Sequence, residues 1–193
     1  MIAESNPPAF AAVLFDMDGV ILDSMSQHAA LWQELLAGEG FEIPLRFILE
    51  NEGALGAGVL AEFLKEHGRD SEDASALIRG LLNRQAELYL SRHAGKVRPY
   101  PQALEILQEL KRRQVPAALV TSSRRALVDT SLQEDLLALF DAVVTAEDVS
   151  RHKPHPEPYL TAADALGKRP GECLVVENAP AAADRVRGGV CVG

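Results

Sequence analysis

The sequence predicts an α/β protein with a parallel β-sheet core, helices on both faces of the sheet, and an inserted helical bundle. Three observations carry this reading. Short apolar runs recur at 11–15, 116–121, 142–146, 173–177 and 190–192. From residue 99 onward they alternate with stretches of helical period, the signature of a parallel sheet. Residues 24–95 show helical period alone and contain no clear strand.

Residues 1–9 carry Pro7 and Pro8, which oppose a helix, and read as a frayed start. The run 11–15 reads as a short buried strand. It ends in Asp16 and Asp18, two residues apart. On a strand that spacing aims both carboxylates at one face. Asp16-Met17-Asp18-Gly19 would then turn at the mouth of the sheet, where open α/β folds bind ligands. Carboxylates this close repel one another unless a cation lies between them. A hard, oxygen-preferring ion such as Mg2+ fits that need. Taken alone, the pair also fits a solvated acidic turn.

In the helical block, His28, Leu31, Trp32, Leu35 and Leu36 share one helical face that stops at Gly38 and Gly40. Gly53, Gly56 and Gly58 mark a loop or a loosely formed helix start. Val59, Leu60, Phe63 and Leu64 make a second face, ending near Gly68. Leu77, Ile78, Leu81, Leu82, Leu88 and Tyr89 make a third.

Pro101 opens a helix carrying Leu104, Leu107 and Leu110, with Lys111, Arg112 and Arg113 in its last turn, where cations suit the dipole. Beyond it the expected elements are a strand at 116–121, one helix over 124–139 and a strand at 142–146. A helix at 156–166, a strand at 173–177, a short helix at 180–187 and a last strand at 190–192 complete the chain. Together they make a Rossmann-like parallel sheet whose strand-to-helix turns gather on one edge.

Each remaining motif lies on that edge. Thr121-Ser122-Ser123 ends a strand and begins a helix. Hydroxyls and free backbone N–H groups there make an anion site, although Ser and Thr are also common caps. His152-Lys153-Pro154-His155-Pro156 holds a lysine among prolines, either restrained for function or simply a solvated loop residue. His152 and His155 lack the further Cys or His that a metal site would need. The run ending at Val176 closes in one carboxylate and one amide, Glu177 and Asn178.

Phe15-Asp16-Met17-Asp18-Gly19-Val20, followed by Leu22-Asp23-Ser24, resembles the first motif of the haloacid dehalogenase-like superfamily. The other three motifs follow in that family's order over nearly the whole chain. The resemblance implies that Asp16 is a nucleophile that is transiently phosphorylated. It makes Asp18 the general acid and base, with a backbone carbonyl that helps hold Mg2+. Thr121 would hydrogen-bond the phosphoryl group, and Ser122 would offer a backbone N–H. Lys153 would neutralise the phosphoryl oxygens and the nucleophile, and Glu177 would ligate Mg2+. Asn178 stands where the family usually has a second acid. Its amide oxygen could ligate the ion or a metal-bound water at one charge less, so weaker metal binding is expected. An Asp at position 18 supports phosphoryl hydrolysis or transfer, since haloacid dehalogenases proper lack it and P-type ATPases carry Thr there.

By the same resemblance, 24–95 is a helical cap over a discontinuous core formed by 1–23 and 96–193. The arrangement is similar to the branch that contains β-phosphoglucomutase, in which a His at the position of His28 orients the acid/base Asp. A His packed within the cap is the alternative for that residue. The branch grips a second phosphate with a Lys-Gly pair and a nearby Arg. Here Glu52-Gly53 and Gly56 occupy that region, and Gln85 stands four residues before Tyr89 where the branch has a Lys. The expected activity is therefore that of a Mg2+-dependent phosphoric monoester hydrolase of sugar phosphates, with a phosphosugar mutase as the alternative. Arg84 or Arg79 could restore the second grip. The helix at 180–187 is shorter than the family usually has, and Gly193 follows directly on the last strand.

Composition bounds the remaining classes. The net charge of -9, from 19 basic and 28 acidic residues, argues against a nucleic-acid partner. No apolar run reaches the roughly 18 residues of a membrane helix. No Lys or Arg precedes Arg46, so a secretory signal is not expected. Cys173 and Cys191 lie in apolar runs and read as buried thiols. A cytoplasmic monomer acting on a small-molecule phosphate ester fits these bounds. Two other classes stay open. One is a catalytically impaired phosphate- or partner-binding protein on this fold, to which Asn178 lends weight. The other is a flavodoxin-like binding module, which predicts no helical insert and no Mg2+ dependence.

Overall fold

Four consecutive apolar residues, Ala12–Phe15, form β1 at the centre of the sheet, all of them buried. The structure is a computed structural model that describes residues 10–51, 56–69, 72–178 and 191–192. Around β1 stand β2 (Ala117–Val120), β3 (Ala142–Val144), β4 (Cys173–Val176) and β5 (Cys191–Val192). Their order is β3-β2-β1-β4-β5, and every pairing is parallel. In the register, Phe15 lies beside both Leu119 and Val176. The first residues beyond these strands therefore emerge together at one edge.

Alternation along each strand separates two apolar layers. Val13 and Phe15, Ala117 and Leu119, and Leu174 and Val176 face one side. There they pack against Ala103, Leu107 and Leu110 of α5 (Pro101–Arg112), and against Val128 of α6 (Arg125–Ser131) and Leu136 of α7 (Glu134–Leu137). Ala12 and Leu14, Ala118 and Val120, and Cys173 and Val175 face the other side, where Tyr159, Ala162 and Ala163 of α8 (Glu157–Ala165) cover them. Both faces thus carry helices, as the alternating pattern predicts.

Between β1 and α5 the described residues form helices α1 (Met25–Gly38), α2 (Leu45–Asn51), α3 (Ala57–Glu66) and α4 (Glu72–Arg92). Among the described residues of 24–95 there is no strand. The helices share their own apolar cluster around Trp32, Leu36, Leu60, Phe63, Leu64 and Ile78. A smaller cluster of Leu31, Leu88 and Tyr89 with Leu127 joins α1 and α4 to α6. The chain leaves and re-enters the sheet side by side. Leu22 bridges Pro99, Asp23 N–H donates to Arg98 O at 3.0 Å, and Tyr100 N–H donates to Ile21 O at 2.9 Å.

Two elements differ from the sequence expectation. The first is α2, whose helical face has Ile48 as its one fully buried residue, while Leu45 and Leu49 stay exposed. A seven-residue helix with one anchor has too narrow an apolar stripe to register as a period. The second is the single helix expected over 124–139, which is broken into α6 and α7. Leu132 (ψ 132°) and Gln133 (ψ 152°) are extended between them. The break turns Leu132, 3% exposed, into the same layer as Val128, Leu136 and Phe140, and burial outweighs helix continuity. The helix expected at 180–187 lies outside the described residues. No helix among those described is long and apolar enough to cross a membrane.

Candidate active site

Side chains at the ends of three strands and on the loop before α8 converge at one sheet edge. Asp16 follows β1 directly, its N–H bound to Val176 O at 3.0 Å. The chain then turns through Asp18 and Gly19. Gly19 has φ of +78° and donates its N–H to Leu22 O at 2.8 Å, while Ile21 and Leu22 N–H groups both reach Met17 O. A positive φ suits glycine, and here an added Cβ would also meet Asn178 Nδ2 and the Met25 side chain.

Lys153 ties the edge together. It is buried, and its Nζ donates to Asp16 Oδ1 at 2.6 Å and to Glu177 Oε2 at 3.2 Å. Below it lies the Tyr159 ring, 4.9 Å from Nζ, and Tyr159 Oη donates to Glu177 Oε2 at 2.5 Å. The Asp16 carboxyl is pushed up to about 7: burial and then the charges of Glu177 and Asp18 raise it, and together they outweigh the lowering by Lys153. For Lys153, burial opposes the charge, but Asp16, Tyr159 and Glu177 outweigh it and hold the ammonium protonated.

Asp18 has a different setting. Its Oδ1 accepts from Ser24 Oγ at 2.7 Å and pairs with His28 Nε2 at 3.1 Å. Ser123 Oγ approaches Oδ2 at a long 3.5 Å. On the far side of the ring, Gln85 Nε2 lies 2.8 Å from His28 Nδ1, and Tyr89 stacks on it at 4.1 Å. In the neutral ring the Gln85 amide donates to Nδ1 and the proton sits on Nε2; in the charged ring Gln85 offers its oxygen to Nδ1–H, and in both states Nε2–H faces Asp18. Burial raises the Asp18 carboxyl, but the charge and hydrogen bond of His28 and the bond from Ser24 outweigh it and hold the carboxyl below its usual range. Two neighbouring carboxylates are thus pushed apart in acidity, as in sites that divide nucleophilic and proton-transfer work.

The cation expected here can be tested against the donors. Asp16 Oδ2 and Glu177 Oε1 are buried and have no hydrogen-bond partner among the described residues. An ionised oxygen left so is costly, and a divalent cation would satisfy both. Among the described residues no group of three His, Cys, Asp or Glu side chains forms a ready metal cage. Two carboxylates with the remaining positions left to other oxygens suit Mg2+, which commonly takes one or two carboxylates together with substrate phosphate. The residues fit the ion.

The other expected residues are placed as follows. Thr121 is buried one strand over, its N–H on Val144 O and its Oγ1 accepting from Ser123 N–H at 3.0 Å. Ser122 is exposed beside it. Asn178 is exposed, and its Nδ2 donates to Met25 Sδ at 3.1 Å, which leaves the amide oxygen clear of that bond. Arg84 points to solvent and pairs with Glu87 on its own helix, and Arg79 is exposed. Glu52 and Gly53 lie outside the described residues. Sequence reasoning passed over Tyr159, Ser24 and Gln85 as site members. Tyr159 shares its helix face with Ala162 and Ala163 and reads as core. Only its nearness to the Lys153 loop, in the first turn of α8, hints otherwise.

The chain resembles known proteins over most of its length. The family model for haloacid dehalogenase-like hydrolases matches residues 10–183. Fructose-1-phosphate phosphatase YqaB of Escherichia coli is 31% identical over 171 residues, which is 88% of this chain and 87% of that protein. Hexitol phosphatase A of the same organism is 32% identical over 170 residues, covering 87% and 74%. A Bacteroides vulgatus structure, provisionally described as a β-phosphoglucomutase, superposes with a TM-score of 0.76 at 33% identity, covering 95% of this chain and 74% of that one.

Proposed function

The chain belongs to the haloacid dehalogenase-like hydrolases, and on that footing we propose that it is a Mg2+-dependent phosphatase of sugar phosphates or similar small metabolites, working through an aspartyl phosphate. The observation that carries this reading is the unequal pair. Asp16 is bound on one oxygen by Lys153 and bare on the other, whereas Asp18 is clamped by Ser24 and His28. The E. coli relatives that hydrolyse fructose 1-phosphate and hexitol phosphates support the substrate class.

In this reading Asp16 attacks phosphorus in line, forming an acyl phosphate and releasing an alkoxide. Lys153, Thr121 and the Ser122 backbone N–H balance charge on the phosphoryl oxygens, where most of the catalysis of such a transfer lies. Asp18 gives its proton to the leaving oxygen, then takes one from the water that hydrolyses the intermediate. Without substrate Asp18 is held ionised, the state of the second step. The negative charge of a bound phosphate raises the carboxyl and favours the protonated state of the first. Asp16, the Asp18 carbonyl and Glu177, with Asn178 as a further oxygen, would hold Mg2+, which when bound supplies positive charge that favours ionised Asp16 and offsets the phosphoryl oxygens.

Residues 24–95 act as the cap and 1–23 with 96–193 as the core. His28 and Gln85 form a polar path from the cap to Asp18, and closure over the site excludes bulk water. The enzyme is read as a cytoplasmic monomer. A phosphosugar mutase is the second reading, favoured by the Bacteroides vulgatus likeness. Arg84, turned to Glu87, and Gln85, turned to His28, weigh against that second reading. Phosphate release from a panel of hexose, hexitol and nucleotide monophosphates, with and without Mg2+, tests the reading. Mg2+-dependent release led by a sugar phosphate supports it. Conversion of β-glucose 1-phosphate with no net release would favour the mutase.

A further inference from the structure

Glu177 is held from behind by two donors on the same oxygen. Oε2 accepts from Tyr159 Oη at 2.5 Å and from Lys153 Nζ at 3.2 Å, whereas Oε1 is buried and has no donor among the described residues. A carboxylate oxygen offers two in-plane acceptor positions, so Oε2 is filled and Oε1 is open. Asp16 is divided in the same way, with Oδ1 on Lys153 and Oδ2 open. Tyr159 is 1% exposed in the first turn of α8. Its ring lies under Lys153 Nζ at 4.9 Å, so one residue steadies both the lysine and the carboxylate.

We infer that Tyr159 is a positioning residue that keeps Glu177 a one-oxygen ligand and thereby favours Mg2+ over Ca2+ at this site. The inference rests on the cation reading of the Asp16–Glu177 pair given above. Mg2+ demands a small, near-octahedral shell, whereas Ca2+ accepts more oxygens and takes carboxylates through both. For Glu177 to present both oxygens, Oε2 must be freed from its donors, and the tyrosine hydroxyl is one of the two that hold it. Residues behind a metal ligand act on affinity through the ligand's orientation.

The test is direct calorimetric binding of Mg2+ alone and of Ca2+ alone to the full chain and to Tyr159→Phe. The substitution deletes one oxygen and keeps the ring, its packing and its contact with Lys153. Mg2+ should weaken roughly tenfold, and Ca2+ should weaken less or tighten, so the ratio of the two affinities falls. A purely structural role for Tyr159 would move both cations together. An equal shift of both cations, or none, overturns the inference and leaves the cation reading standing. A wild-type chain that binds neither cation overturns both.

Discussion

The Lys153 ammonium donates to Asp16 Oδ1 at 2.6 Å across 137 residues of sequence. The same group reaches Glu177 at 3.2 Å, and all three side chains are buried. One cation thus offsets two carboxylates in a place where water cannot. Replacing Lys153 by Met should lower the rate by roughly 10²–10³-fold, the scale of losing a charge-stabilising donor. It should also cost about 3 kcal/mol of unfolding free energy, because it strands buried carboxylates. Urea denaturation with and without Mg2+ checks the second part, and added Mg2+ should recover some of the loss.

Gln85, His28 and Asp18 form a second chain of contacts, from α4 through α1 to the turn after β1. His28→Ala should lower kcat by about 10²-fold, at the lower end for disturbed proton transfer, with a smaller change in KM. Gln85→Ala keeps the imidazole but frees its tautomer, so a several-fold fall in kcat is expected. Gln85→Glu, which can bond Nδ1–H instead, should change the pH profile of kcat. Steady-state kinetics across pH distinguishes these outcomes.

Gly19 makes the turn that brings Asp18 back over the sheet edge. Its φ of +78° strains any residue with a Cβ, and the Asn178 and Met25 side chains would have to shift to admit one. Gly19→Ala should destabilise the fold by at least about 1–2 kcal/mol, the strain of a left-handed residue with a Cβ, and should lower activity by displacing Asp18. Thermal unfolding and turnover measured on the same preparation check both effects.

Asn178 offers an amide where a second carboxylate would add charge. Asn178→Asp should tighten Mg2+ binding several-fold, since affinity for a hard cation rises with the charge of its ligands. Titration of activity against Mg2+ concentration reads this out as a lower half-saturating concentration.

The strands and the long helices were legible because each repeats one apolar period over enough residues. β1, β2 and β4 show as short apolar runs, and α5 shows its stripe between Pro101 and a basic last turn. Asp16, Asp18 and Glu177 stand out because they lie at or just past the end of an apolar run, and Lys153 because it directly precedes Pro154 in a proline-containing loop. What stayed hidden depends on tertiary contact. The break at Leu132 follows from its burial under the sheet. Tyr159 and Gln85 join the site through bonds to Glu177 and His28 that span 18 and 57 residues, and no local pattern marks such a pair.

The central claim is that Asp16 carries the phosphoryl group. Acid quenching during turnover of the best sugar phosphate, followed by peptide mass analysis of the wild-type chain and of Asp16→Asn, tests it directly. The account predicts one added phosphoryl group on the peptide containing Asp16, absent from the variant together with Mg2+-dependent phosphate release. Full release by Asp16→Asn, or a phosphoryl group found on another residue, would contradict it.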